Sequence, residues 1–154
     1  VGATENAILA SCLGEGKTII TNAAREPEII DLQNFLNKMG AKIKGAGSNK
    51  IEINGVKQLK DVSYNIMPDR IETGTFLCIA AMTGGSLKIK NADATHIIQI
   101  EGPKKLKAVD IKTMPYPGFP TDMQSIFATT MTVAKGTSVI VENIFENRYK
   151  NTQK

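Results

Sequence analysis

Apolar residues recur along the chain in blocks of two alternating periods, and three of these blocks share one layout. Residues 6–13, 75–82 and 126–133 carry apolar side chains at helical spacing. Each stretch runs into a turn with glycine: Gly14-Glu15-Gly16, Thr83-Gly84-Gly85 and Ala134-Lys135-Gly136. Alternating, branched stretches follow at residues 17–22, 86–91 and 137–143. Glycine ends a helix where a left-handed conformation costs least, and β-branched side chains favour extension. The pattern predicts three copies of a helix-turn-strand unit.

A second repeat fixes the period. The segment from Ile51 through Ile53, Gly55, Lys57, Leu59, Lys60 and Val62 to Met67-Pro68 matches, without a gap, the segment from Ile98 through Ile100, Gly102, Lys104, Leu106, Lys107 and Val109 to Met114-Pro115. These copies stand 47 residues apart, whereas the turns before them, at Gly16 and Gly85, stand 69 apart. The second unit is therefore shorter by about 22 residues, lost near residues 92–98. In the first unit that stretch is legible. Glu26-Pro27 opens a helix at the position where proline's missing N–H is harmless, and Ile29, Leu32, Phe35, Leu36 and Met39 form its apolar stripe up to Gly40. A strand from Ala41, a turn at Gly45-Ala46-Gly47-Ser48-Asn49 and a returning strand at residues 50–54 follow. Each full unit reads strand, helix, strand, strand, helix, which belongs to the α/β or α+β class with helices packed on sheet. Met67-Pro68 marks a hinge, dividing residues 1–66 from 67–154.

Composition narrows the classes. With 154 residues, 42 % of them apolar, the chain is long enough for a buried core and is neither disordered nor low in complexity. No apolar run reaches the length of a membrane span, and the first residues lack the features of a signal peptide, so a cytoplasmic setting without membrane contact is expected. The net charge of +4 is too small and dispersed for a nucleic-acid groove, and Lys104-Lys105-x-Lys107 reads as a solvated strand edge. Cys12 and Cys78 fall in apolar helical stretches without metal spacing and read as core thiols. No metal-ligand cluster and no cofactor motif is evident, and the lone His96 lies where the second unit is shortened.

Among the carboxylates Asp122 stands out. Three prolines in Pro115-Tyr116-Pro117-Gly118-Phe119-Pro120 stiffen the loop before it, and Thr121-x-x-Gln124 has the form of a capping box. Asp122 is then expected in the first turn of a helix, where the helix dipole favours an ionised carboxylate able to accept a proton or bind a hydroxyl. Asp69-x-x-Glu72 repeats the device at the preceding helix and reads as structural. Arg25 and Arg70 suit either a phosphate or a neighbouring carboxylate, and Gly45-Ala46-Gly47 suits a hairpin turn better than a phosphate loop.

Five segments carry a resemblance: Val1-Gly2-Ala3-Thr4-Glu5-Asn6, residues 22–29, residues 68–76, residues 117–124 and Phe145-Glu146-Asn147-Arg148. In order, they resemble successive motifs of the UDP-N-acetylglucosamine 1-carboxyvinyltransferase family of enolpyruvyl transferases. The resemblance implies a fold of two inside-out α/β barrels built from six repeated βαβαββ units, here incomplete. It also implies a reaction, transfer of the enolpyruvyl group of phosphoenolpyruvate to the 3-hydroxyl of UDP-N-acetylglucosamine, which opens bacterial peptidoglycan synthesis. Asp122 matches the residue that binds and deprotonates this hydroxyl. Ile144 matches a position whose backbone touches the nucleotide sugar, Val1 and Gly2 match main-chain contacts to the diphosphate, and Arg148 matches an arginine near the sugar.

The departures point the other way. The resemblance covers about the middle third of such an enzyme, without counterparts for the amino-terminal Lys-Asn pair, the reactive-cysteine loop or the arginines that grip phosphoenolpyruvate. Neither Cys12 nor Cys78 inherits the cysteine's role. The chain alone is expected to be inactive, and the remainder of a longer chain, or self-association, is expected to cover its apolar faces. The alternative is a non-catalytic sugar-nucleotide binding or scaffold fragment.

Overall fold

The computed structural model describes residues 1–92 and 96–152, in two compact units, Val1–Met67 and Pro68–Lys154. The first unit runs α1 (Gly2–Cys12), β1 (Lys17–Thr21), α2 (Pro27–Lys38), β2 (Lys42–Lys44) and β3 (Lys50–Asn54). The second runs α3 (Arg70–Thr83), β4 (Ser86–Ile89), β5 (Ile98–Glu101), β6 (Ile111–Lys112), a 3-10 helix (Thr121–Met123), α4 (Gln124–Met131), β7 (Ile140–Val141) and a closing 3-10 helix (Arg148–Thr152). The predicted α/β order is present, and β1, α2, β2, β3 and α3 follow the expected sequence of a full unit.

In the first unit β3 is central, in the order β1-β3-β2, with both pairings antiparallel. Its alternation is that of a half-buried strand: Ile51 and Ile53 are fully buried while Glu52 faces outward. The two isoleucines pack with Ile8 and Cys12 of α1 and Ile29 and Leu36 of α2, each worth roughly 1.5–3 kcal/mol on burial. Pro27 sits at the start of α2 as expected, and the predicted stripe faces the sheet. The coil after β3 is pinned to α2: Tyr64 donates to Asp31 at 2.8 Å and stacks on Phe35, and the Lys60 amide donates to Met39 O at 2.8 Å.

The repeat is reproduced in pairing register. Lys17 opposes Asn54 and Ile20 opposes Ile51; in the second unit, at the equivalent positions, Ser86 opposes Glu101 and Ile89 opposes Ile98. A shared close approach sets this register. The Gly55 amide donates to Gly16 O at 2.9 Å, and its counterpart Gly102 donates to Gly85 O at 2.8 Å. A methyl group added at Gly55 would fall on the carbonyl of Gly14, and one at Gly102 on the carbonyl of Ala80. The strands also end alike, with Asn22 (φ 54°) and Asn91 (φ 58°) both left-handed, a conformation asparagine tolerates.

The second sheet has two strands, β4 and β5, where the first has three. Among the described residues it has no counterpart of α2 and β2, and Ile98 and Ile100 are only half-buried. The predicted shortfall lies near residues 92–98, of which residues 93–95 are outside the described residues; beside them the Ala92 amide donates to His96 O at 3.2 Å.

Several expectations are corrected. Gly84 caps α3 at φ 65°, but α1 ends on Leu13 at φ −104° and α4 on right-handed Thr132, their left-handed glycines, Gly16 and Gly136, coming later in the turn. The third strand shrinks from residues 137–143 to Ile140–Val141, because the partner it meets, β6, is itself two residues long. Cys12 is a core thiol whose pKa is raised by burial, whereas Cys78 is only half-buried. Among the described residues no helix is long and apolar enough to cross a membrane, and no group of three His, Cys, Asp or Glu is placed to hold a metal.

Two predictions follow from this packing. Gly55→Ala should destabilise the first unit by about 3 kcal/mol, because the intruding carbonyl is backbone and must shift, and a thermal melt measures it. Glu52 accepts from Lys17 at 2.8 Å, Lys50 at 3.3 Å and Lys44 at 3.4 Å, which together lower its pKa from 4.5 to about 2. A depressed carboxylate stabilises the fold above its unfolded pKa and loses that contribution as the pH falls. The gap in Tm between the wild type and Glu52→Gln should therefore hold at neutral pH and close between about pH 4.5 and about pH 2.

Candidate functional site

The predicted site residues of the second unit converge on one stretch of backbone. β6 and β7 pair in parallel, Ile111 with Ile140 and Lys112 with Val141. Beyond them the chains stay joined: the amide of buried Thr113 donates to Val141 O at 2.9 Å, and the Thr113 hydroxyl accepts from the Asn143 amide at 2.9 Å. Asn143 returns a side-chain bond to Thr113 O at 3.2 Å. Residues 142–145 are thus held against the start of the proline-rich loop.

That loop is anchored at both ends. The Met114 amide donates to Phe119 O at 3.0 Å, and Phe119 packs edge-on against Phe127 of α4 with ring centroids 5.4 Å apart. Arg70, at the start of α3, lies over the Tyr116 ring, so it is engaged in the loop. The loop delivers the chain into the 3-10 helix Thr121–Met123, and Asp122 stands there with its side chain 64 % exposed. Its Oδ1 accepts from Arg148 Nη2 at 2.9 Å, and the Arg148 guanidinium also lies 5.6 Å from the Phe145 ring centroid. Asp122 and Arg148 are brought together, the cation being a partner that spacing alone did not supply.

The capping box is not formed. The Thr121 hydroxyl donates to Glu142 Oε2 at 3.0 Å and caps no helix amide, and the side-chain amide of fully buried Gln124 makes no hydrogen bond among the described residues. At the preceding helix the N-cap half of the expected device is present, since Asp69 Oδ1 accepts from the amides of Ile71 at 2.7 Å and Glu72 at 3.3 Å.

Glu142 is the residue the sequence reading missed. Its Oε1 accepts from the amides of Ile144 at 2.7 Å and Phe145 at 3.1 Å, so the main chain of Ile144 is fixed by this carboxylate. Partial burial works to raise its pKa, yet the Ile144 and Phe145 amides and the hydroxyls of Thr113 and Thr121 hold it below the usual carboxylate value. Tyr149 completes the frame, donating to Ile140 O at 2.6 Å and accepting from the Glu142 amide at 3.0 Å. One signal was available. An acid whose oxygens take the amides two and three residues ahead repeats the pattern of Asp69, but the strand pattern over residues 137–143 masked it.

Val1 and Gly2 belong to the first unit. Val1 is the N-cap of α1, its carbonyl accepting from the Glu5 amide at 3.1 Å, and Gly2 opens the helix. A depression of about 430 Å³ in the second unit is lined by Met82, Pro103, Lys104, Leu106, Val133 and Lys135. It contains none of the predicted site residues and lies at the C-terminal end of α3.

The family model for EPSP synthase (3-phosphoshikimate 1-carboxyvinyltransferase) matches residues 1–101 and 95–154. The UDP-N-acetylglucosamine 1-carboxyvinyltransferase 1 of Caldanaerobacter subterraneus is 53 % identical over 169 positions, covering 97 % of this chain and 41 % of the relative. The UDP-N-acetylglucosamine 1-carboxyvinyltransferase of Geotalea uraniireducens is 50 % identical with similar coverage. The chain spans about two-fifths of the length of these relatives. The crystal structure of the enolpyruvyl transferase NikO from Streptomyces tendae superposes with a TM-score of 0.76 over 96 % of this chain and 40 % of that one, at 22 % identity, which establishes the fold. With its motifs, its repeated units and both matched segments in agreement, the chain belongs to the EPSP synthase (3-phosphoshikimate 1-carboxyvinyltransferase) family.

Proposed function

We propose that this chain is part of a cytoplasmic UDP-N-acetylglucosamine 1-carboxyvinyltransferase acting at the start of peptidoglycan synthesis, and that its second unit binds the sugar. In the reaction the sugar 3-hydroxyl oxygen adds to C2 of phosphoenolpyruvate as the methylene carbon takes a proton. Loss of phosphate and of a proton from that carbon then restores the double bond as an enol ether. Asp122 accepts the hydroxyl proton, a role its open position and 3-10 setting suit. Arg148, paired with it, presents a cation beside the sugar, and the Ile144 main chain lines the same edge. Val1 and Gly2 contact the diphosphate through backbone groups. The observation that carries this reading is the 53 % identity with a relative of that name across 97 % of the chain.

Residues 1–66 form the end of one domain in this reading and residues 67–154 the start of the next, supported by the division of the chain into two units at Met67. The second repeat lacks a helix and strand of about 22 residues. Support comes from the alignment with the relative, which runs over 169 positions although the chain has 154 residues, and from the two-stranded sheet. The chain alone does not turn over.

Calorimetry tests the sugar assignment. The wild-type chain should give saturable heat with UDP-N-acetylglucosamine, and Asp122→Asn should weaken binding about 10- to 100-fold, the worth of a hydrogen bond to a charged acceptor. Absence of saturable heat from the folded wild type would overturn the assignment. Phosphate release from phosphoenolpyruvate should stay at background, and release above it would overturn the inactivity.

A further inference from the structure

Resting on the sugar-nucleotide reading above, the geometry points to Glu142 as a positioning residue of this site, the group that holds the Ile144 main chain and the Thr121–Asp122 segment in one frame. The two segments lie more than twenty residues apart in sequence and come from different elements. One carboxylate joins them: Oε1 takes the Ile144 and Phe145 amides, and Oε2 takes the Thr121 hydroxyl. Asp122 is the next residue after Thr121, so the distance between the acid and the Ile144 backbone is set through Glu142.

The arrangement demands an ionised carboxylate. Two amides and the Thr121 hydroxyl converge on it, and all of them donate. Only a group with two accepting oxygens and no proton of its own satisfies all three. Glutamine at this position would turn an N–H₂ toward at least one donor, and aspartate keeps the charge but is one methylene shorter. The frame is braced independently from the other side by Thr113 on Asn143 and by Tyr149 on the Glu142 amide, so a change at the Glu142 carboxylate leaves the β6–β7 pairing in place. A shift of even a fraction of an ångström between Asp122 and the Ile144 backbone spoils a site that must hold one hydroxyl and its sugar together.

The test compares Glu142→Gln and Glu142→Asp with the wild type by calorimetry against UDP-N-acetylglucosamine and UDP, and by amide NMR without ligand. Glu142→Gln should weaken UDP-N-acetylglucosamine binding about tenfold while leaving UDP affinity unchanged, and Glu142→Asp should recover part of the loss. Equal loss for both ligands would mark a merely structural residue and overturn the proposal, as would unchanged affinity for both. The ligand-free spectra decide the matter separately: in Glu142→Gln the Asp122 amide should shift together with those of Ile144 and Phe145. An Asp122 signal that stays in place overturns the positioning role, whereas a wild type that binds no UDP-N-acetylglucosamine overturns only the sugar reading.

Discussion

The structure depends on a backbone contact that leaves no room for a side chain. A strand of each unit is followed by a glycine whose amide bonds the glycine turn between the preceding helix and strand, Gly55 to Gly16 and Gly102 to Gly85. Because side chains alternate across a strand, a slip of one residue would turn every apolar group outward. The contact fixes the register, and the register puts Ile51 and Ile53 against α1 and α2 with Glu52 among its three lysines. The same constraint recurs in the second unit with the same pairing, so the duplication visible in the sequence is a duplication of packing.

The two units then diverge for a physical reason. In the first, α2 lays Ile29 and Leu36 over the sheet and β2 closes the second edge of β3. In the second, β5 pairs with β4 on one side only, and its isoleucines remain half-buried.

The candidate site is built where two loops of that second unit are tied together. The short parallel pair β6–β7 aligns two loops, Thr113 and Tyr149 brace one of them, and Glu142 spans from it to the turn that carries Asp122. Asp122 itself is left open to solvent, engaged by Arg148, so the rigid part of the site lies in its supports and the reactive carboxylate stays accessible.

The sequence by itself determined the repeated units, the α/β order, the burial of the α2 stripe and the cap at Asp69. Each of these depends on neighbours within a few residues or on a period that repeats, which a linear reading detects. Only the tertiary structure decided that Thr121 serves Glu142 rather than its own helix, that the Gln124 side chain is buried without a hydrogen-bond partner among the described residues, that Arg148 sits on Asp122 and that Cys78 is half-exposed. These outcomes turn on side chains meeting across twenty or more residues. A hydroxyl or carboxylate that suits a local cap equally suits a distant partner, and the choice between them is made by which backbone segments the packed strands bring within 3 Å.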